Sequence, residues 1–220
     1  CLWLGGASPA VIRSSPFIHD RVEKVKQFRL NSTKAETRES ANSPTLFQEI
    51  RHPDSEYIII PRHSSENRRY IPFGFVSPEI IVNDAVQIIP YAGLFHFGIL
   101  TSNVHMAWMR VVCGRIKSDY RYSKDVVYNN FPWPEPTDEQ RTRIEATAQA
   151  ILDAREKYPE ASFADMYGEH MYLFPELLAA HQANDRAVMQ AYGMPIKETD
   201  EAACVAWLMR LYQEKVGEQK

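Results

Sequence analysis

The chain has 220 residues, a net charge of −3 and 45% apolar residues, which is enough for a folded core but argues against a strongly basic nucleic-acid-binding protein. The average conceals an asymmetry, because residues 1–136 hold 16 Lys and Arg against 13 Asp and Glu, whereas the remainder holds 9 against 15. The first part is therefore suited to face an anion, and the acidic last part is not.

The cysteines and the N-terminus indicate the cell compartment and whether the chain is part of a longer protein. Cys1, Cys113 and Cys204 are far apart without a CxxC spacing, so we expect neither a zinc site nor a disulfide framework, and a reducing cytoplasm fits. No apolar run reaches membrane-spanning length and the N-terminus lacks signal-peptide character, so no membrane contact is expected. The chain begins without Met inside an apolar phrase, Cys1–Leu4, so we expect a segment of a longer protein.

Residues 9–40 are predicted to be helical and polar, with a one-sided helix over Arg21–Leu30. From Thr45 the pattern changes to short β-branched and apolar stretches that end at prolines or glycines. The predicted strands are Glu56–Arg62, Tyr70–Val76, a region over Ile80–Ile89 that Asn83-Asp84 can interrupt, and the short apolar segment Leu94–Phe97.

Thr101-Ser102 is predicted to cap a helix whose apolar residues recur at helical spacing and which ends near Gly114. The next stretch, Gly114–Ser123, alternates with period two, which predicts a half-buried strand. Its two faces would hold Lys117, Asp119 and Arg121 on the open side, and Ile116, Ser118, Tyr120 and Tyr122 on the other.

A row of side chains with both charge signs suits DNA bases better than phosphates, because a carboxylate repels phosphate. Lys117 can donate to guanine O6 and N7 while Asp119 accepts from cytosine N4, so the two can read one G·C pair. The alternative is an edge strand on which Lys117 and Asp119 form a weak, solvated ion pair. On the pattern of this strand alone, the alternative is the simpler interpretation.

Val126–Tyr128 is predicted to be a further strand, and the prolines of Asn129–Pro136 form a stiff boundary. Beyond the boundary the sequence predicts a small acidic helical bundle with helix-start signals. These signals are Thr137–Gln140, Ser162, Pro175 and Thr199-Asp200.

Candidate catalytic patterns are incomplete. Asp54 and Glu56 lack the acidic-x-Lys partner of a metal-dependent nuclease, and Asn130–Trp133 has the wrong order for an adenine-methyltransferase loop. No phosphate-binding glycine loop is present. The sequence therefore predicts neither a catalytic residue nor a metal site. Basic residues that can contact DNA phosphates, or equally be solvated surface groups, are Arg68, Arg69, Arg115 and Lys124.

Several runs are long and unusual, namely His96–Ser102, His105–Arg110, Cys113–Ser123 and Tyr128–Pro134. Together with Leu2–Gly5, Pro44–Phe47, the strand around Ile60–Arg62 and the helices after Pro136, they resemble the target-recognition domain of MmeI-like (type IIL/IIG) restriction–modification enzymes. Those enzymes combine a nuclease, an adenine-N6 DNA methyltransferase and a specificity domain in one chain. The resemblance implies an α+β fold in which a mixed-sheet recognition domain with packed helices precedes an all-α bundle.

The resemblance also implies roles for particular residues, which read bases in pairs. Arg62 with Asp84 would read one G·C pair, and Lys117 with Asp119 another. Ala85 with Arg121 would read a third position, where the small Ala leaves room or touches a thymine methyl.

On this basis we expect a helical connector over residues 1–42, a DNA target-recognition domain over 43–134 and a helical domain over 135–220. The segment itself would be non-catalytic and would bind double-stranded DNA next to the methyltransferase domain of its parent chain. S-adenosylmethionine and Mg²⁺ would serve the intact enzyme and not this segment. Alternatives are the specificity domain of a multi-subunit restriction system, a phage-defence methylase, or a scaffold module that does not bind DNA.

Overall fold

The computed structural model describes residues 2–218, so Cys1 of the expected connector and the last two residues lie outside the described part of the chain. Two compact units are present, Cys1–His52 and Pro53–Lys220. Helices and small antiparallel sheets coexist, so the predicted α+β class is confirmed. None of the helices in residues 2–218 combines the length and the apolar character needed to cross a membrane.

The first unit is helical, as predicted for residues 9–40. Its helices are α1 (Pro9–Ser14), α2 (Pro16–Leu30) and α3 (Ala35–Glu39), followed by a 3₁₀ turn over Ser40–Asn42. The Ser15 side chain caps α2, whose first residue is a proline. Arg29 fastens the following segment, because its guanidinium donates to the carbonyls of Ser40, Ser43 and Leu46 at 2.7–3.0 Å.

The second unit contains two three-stranded sheets, ordered β3-β1-β4 and β2-β6-β5, in which all pairings are antiparallel. The strands are β1 (Tyr57–Pro61), β2 (His63–Ser64), β3 (Gly74–Val76), β4 (Val86–Pro90), β5 (Gly114–Ile116) and β6 (Asp119–Arg121).

The helices of the second unit are α4 (Leu94–Leu100), α5 (Asn103–Val112), α6 (Asp138–Glu156), α7 (Phe163–Met166), α8 (Pro175–Ala191) and α9 (Glu201–Glu218). A π-helical turn covers Lys124–Tyr128 and a 3₁₀ turn covers Met171–Leu173. The predicted helix starts at Ser102, Thr137 and Ser162 are confirmed by side-chain caps, and Pro175 begins α8. Asp200 also caps α9, since its carboxylate accepts from the Ala203 N–H at 2.8 Å.

The prediction of one continuous strand over Gly114–Ser123 was wrong. The stretch is a β-hairpin in which Ile116 pairs with Asp119 across a two-residue turn. Lys117 occupies this turn with φ +56°, and the Arg115 guanidinium donates to the Ser118 carbonyl at 2.7 Å. Lys117 and Asp119 are therefore not neighbours on one strand, and Ile116 lies on the face opposite to that predicted.

Other strand predictions were wrong or too long. Leu94–Phe97 belongs to α4, in which Phe95, Phe97, Gly98, Ile99 and Leu100 are buried. Val126–Tyr128 lies in the π-helical turn, where the Asn130 amide and the Trp108 indole N–H satisfy its carbonyls. The predicted strand Tyr70–Val76 contracts to β3, and only the last part of the predicted region Ile80–Ile89 forms a strand, β4, because Ile80–Ala85 is not in a strand.

One hydrophobic core joins the strands of the second unit to its helices. Polar contacts cross it as well: the Arg155 guanidinium of α6 donates to the Phe73 carbonyl at 2.8 Å, and the Tyr70 hydroxyl donates to Asp185 of α8 at 2.6 Å. The Asn184 amide donates to the Gly98 carbonyl of α4 at 2.7 Å. The helices after residue 135 therefore support the strand region directly.

Candidate functional site

The two small sheets meet at Arg62, which lies between β1 and β2. Its N–H donates to the Ala85 carbonyl at 3.0 Å, and its own carbonyl accepts from the Tyr122 N–H at 2.8 Å. One residue thus links the beginning of β4 to the end of β6. Arg62, Ala85 and Arg121, which are distant in sequence, are brought to the same corner.

Asp84 and Ala85 form an exposed turn just before β4. The Asn83 side chain fixes this turn by accepting the Ala85 N–H at 2.9 Å. Arg62 is half-buried, and among residues 2–218 its enclosed Nε has no hydrogen-bond partner.

The sheet β2-β6-β5 has one exposed face, which we call the β6 face. Cross-strand partners share a face, and β6 pairs Arg121 with residues of both neighbouring strands and Asp119 with Ile116. The β6 face accordingly comprises His63, Gly114, Ile116, Asp119 and Arg121, all exposed.

The opposite face is fixed by an aromatic contact. The Arg115 guanidinium stacks over the Tyr120 ring at 4.6 Å, and Tyr120 is buried. Because side chains alternate along a strand, this contact independently places the β5 neighbours of Arg115, Gly114 and Ile116, on the β6 face.

A buried histidine supports β6 on the side opposite the β6 face. Tyr122 is buried and its hydroxyl lies 3.0 Å from Nε2 of His105 on α5. Desolvation lowers the pKa of His105 to about 3, so the imidazole is neutral at physiological pH. The Gln87 amide of β4 also donates to the Tyr122 carbonyl at 3.3 Å. The exposed side chains of β6 therefore project from a well-supported strand.

The structure does not pair Lys117 with Asp119 as an ion pair. Across residues 2–218, no salt bridge involves any of the charged base-reading candidates Arg62, Asp84, Lys117, Asp119 and Arg121. The Asp119 carboxylate accepts a long hydrogen bond from the Glu66 N–H at 3.4 Å. Apart from this bond and the enclosed Nε of Arg62, their charged groups are not engaged in ion pairs within the described residues, and the mixed signs suit base edges.

The predicted phosphate-contacting residues lie on separate segments. Arg68 and Arg69 follow β2, and Lys124 begins the π-helical turn after β6. Arg69 stacks over Tyr70 at 5.5 Å. Arg115 is engaged within the chain, since it also forms a 3.4 Å salt bridge with Glu66.

Within the described part of the chain, no group of three or more His, Cys, Asp and Glu residues is arranged to hold a metal ion. The residue that sequence reasoning missed on the exposed surface is Ile116, which is 45% exposed on the β6 face. No local signal indicated this, because the turn at Lys117-Ser118 lacks the glycine or asparagine that marks most two-residue hairpins.

Comparison with known proteins gives consistent matches along the chain. The profile of the MmeI target recognition domain matches residues 1–135, and that of the MmeI C-terminal domain matches residues 136–218. "DNA methyltransferase A" of Bacillus subtilis (strain 168) is 37% identical over 214 residues, which are 97% of this chain and 24% of that protein.

A solved structure of the "Type IIL restriction-modification enzyme MmeI in complex with DNA" matches with a TM-score of 0.88 and 45% identity. The match covers 99% of this chain and 29% of that chain. The sequence therefore spans only about a quarter of the length of these relatives.

Proposed function

Because the chain belongs to the MmeI family, of which it carries the target recognition and C-terminal domains, we propose that it reads a short sequence in double-stranded DNA. In this proposal it directs the adenine-N6 methyltransferase and the endonuclease of a longer parent protein to that sequence. The observation that carries the proposal is the β6 face, where exposed side chains of both signs have no salt-bridge partner within residues 2–218.

The β5–β6 hairpin fits the DNA major groove. The groove is about 12 Å wide and admits a two-stranded ribbon, whose strands lie about 4.8 Å apart. Asp119 and Arg121 are alternate residues of β6 and so lie roughly 7 Å apart along the strand. Base pairs are stacked at about 3.4 Å, so the two side chains would address base pairs about two steps apart.

The base readers are proposed in pairs. Arg62 with Asp84 reads one G·C pair, Lys117 with Asp119 another, and Ala85 with Arg121 a third position. Two backbone features support this grouping. The Arg62–Ala85 hydrogen bond holds Arg62 beside the Asp84-Ala85 turn, and the Ile116–Asp119 pairing places Lys117 in the turn that leads to Asp119.

Phosphate contacts are proposed for Arg68, Arg69, Arg115 and Lys124, whose charge would contribute affinity without sequence preference. For Arg115 such a contact would need release of its salt bridge with Glu66. The acidic helices after residue 135 would instead support the recognition region through the shared core.

We also propose three domains along the chain. These are a connector over residues 1–42, the recognition domain over 43–134 and the helical domain over 135–220. The first unit supports the connector role, because it has an apolar groove of about 660 Å³ whose connector side is lined by residues such as Phe17, Val25 and Phe28. We propose that this groove is covered by the methyltransferase domain of the parent.

We propose that the cofactors of the parent are bound outside this segment. Its described residues offer no metal cluster, and the sequence has no loop for S-adenosylmethionine. S-adenosylmethionine would supply the methyl group and Mg²⁺ would support cleavage, both outside this segment. Because the parent protein would act on chromosomal DNA, we propose that it lies in the cytoplasm.

The proposal is tested by exchanging the charges at the hairpin. Lys117→Glu combined with Asp119→Arg in the full-length parent should change the accepted base at one position and leave the others unchanged, because the donor and acceptor are exchanged. The measurement is a map of methylated adenines in DNA from cells that express each variant.

Arg68→Ala and Arg69→Ala are the matched controls. They should weaken binding to all duplexes and flatten the salt dependence by about one counterion per lost contact. Uniform loss of methylation by the charge exchange would contradict base reading. Salt-independent or undetectable duplex binding by the parent would favour the scaffold alternative. A parent without a nuclease would favour the stand-alone methylase, and separate subunits would favour the multi-subunit system.

A further inference from the structure

Ile116 is the one apolar side chain on the β6 face, whose other side chains are those of His63, Asp119 and Arg121 beside the bare Gly114. It is 45% exposed on β5, although the alternation of the sequence predicts that it faces inward with Tyr120. Its exposure follows from the turn at Lys117, which reverses the chain and puts Ile116 opposite Asp119.

The position of Ile116 relative to Asp119 is well defined. Cross-strand partners share a face with their Cβ atoms about 5 Å apart. Arg115, which precedes Ile116, stacks on Tyr120 on the other face, which places Ile116 on the β6 face independently of the cross-strand pairing. If the strands run along the groove, Ile116 would face the bases beside Asp119 and would address the base pair that Asp119 contacts or its immediate neighbour.

The chemistry of the side chain restricts its target. An isoleucine gives a phosphate no hydrogen bond and no charge, so a contact with the DNA backbone would be unfavourable. In the major groove the 5-methyl of thymine is the apolar group that distinguishes one base pair from the others. We propose that Ile116 is a specificity-determining residue that contacts the methyl group of a thymine next to the base pair contacted by Asp119. This inference rests on the proposed function.

The test removes the methyl group from the DNA and the alkyl group from the protein. The full-length parent and its Ile116→Ala variant are titrated with duplexes that carry the recognised sequence, in which each thymine is replaced in turn by deoxyuridine. One deoxyuridine should weaken wild-type binding about fourfold, the value of one buried methyl group. Ile116→Ala should bind the unmodified site at least fourfold more weakly and should not respond to that deoxyuridine.

Val126→Ala is the matched control, because Val126 is 46% exposed but lies in the π-helical turn outside the β6 face. It should retain the wild-type response to every deoxyuridine. Ile116→Val, which keeps a branched alkyl group, should retain most of the response and shows that the fold is intact.

The proposal is overturned if no deoxyuridine affects wild-type binding, or if Ile116→Ala responds to each deoxyuridine as wild type does. It is equally overturned if Ile116→Ala weakens binding to all sequences alike. Failure of the proposed function has a different signature, since the wild-type parent would then show no preference among duplexes of different sequence.

Discussion

His105 and His181 are buried imidazoles that the protein holds in the neutral form. His105 supports β6 through Tyr122, and His181 stacks on Tyr70 with ring centroids 4.2 Å apart. Desolvation by burial is the largest contribution to the pKa shift of both histidines and lowers each pKa to about 3. The pKa of a nearby carboxyl shifts in the opposite direction, because burial raises the pKa of Asp185 to about 6.

These shifts predict that stability falls in mild acid. Each histidine has a folded-state pKa below its unfolded value of about 6.5, so the unfolded chain binds more protons once the pH drops below that value. As the pH falls toward the folded-state pKa, each histidine lowers the free energy of unfolding by up to about 1.4 kcal/mol per pH unit. Asp185 gains protons in the folded state below pH 6, so it offsets only one of the two losses.

The measurement is the free energy of unfolding from denaturant titrations at pH 7.5, 6.5 and 5.5 (chosen to lie about the free histidine pKa). His105→Gln, which cannot titrate, should be less stable at neutral pH but should lose less stability on acidification. An unfolding free energy that is constant or increases over this range would contradict the neutral, buried state of the two histidines.

At the scale of elements, α4 packs closely against α6 and α8 at Gly98. A Cβ atom added to Gly98 would lie 2.7 Å from Cγ2 of Ile144 and 3.2 Å from Cβ of Ala148. The backbone there is an ordinary helix, so the glycine is required by the close approach of the helices and not by its dihedral angles.

Gly98→Ala should therefore lower the free energy of unfolding by about 2 kcal/mol, because the packed helices must separate to make room. The matched substitution is Gly217→Ala in α9, where a Cβ would meet nothing within 4 Å. It should leave stability unchanged or raise it by up to about 1 kcal/mol, the difference in helix propensity. The measurement is the stability of both variants by thermal or denaturant unfolding. Equal changes in stability for the two variants would show that packing at Gly98 is unimportant.

At the scale of the whole molecule, the boundary between the two matched family domains does not separate two cores. Residues before and after position 135 belong to one hydrophobic cluster in the second unit. Arg155 illustrates the connection, because its guanidinium donates both to Tyr167 of the helical part and to the Phe73 carbonyl of the strand part.

A fragment of residues 1–135 should consequently fail to fold on its own. Truncation would expose the apolar surfaces of α4 and α5, would leave the Phe73 carbonyl without the Arg155 donor and would remove the Asn184 amide from the Gly98 carbonyl. Comparison of the fragment with the complete chain by circular dichroism and by proton–nitrogen NMR spectra tests this. A dispersed spectrum and a cooperative transition for the fragment would contradict the shared core.

Local signals in the sequence were sufficient for much of the fold. Ser102, Thr137 and Ser162 cap helices by hydrogen bonds that reach only three residues, and Pro175 begins a helix for an equally local reason. The candidate base readers came from the family resemblance, since their residue types alone also suited a solvated edge strand.

The sequence by itself determined the helix starts and the alternation of Tyr120 and Tyr122 with Asp119 and Arg121, because these depend on neighbours within a few residues. Only the tertiary structure decided that Lys117 turns the chain, that Ile116 is exposed and that Arg62 joins β4 to β6. Each of these depends on hydrogen bonds or packing with residues on another strand, and a pattern read along one segment contains no information about that partner.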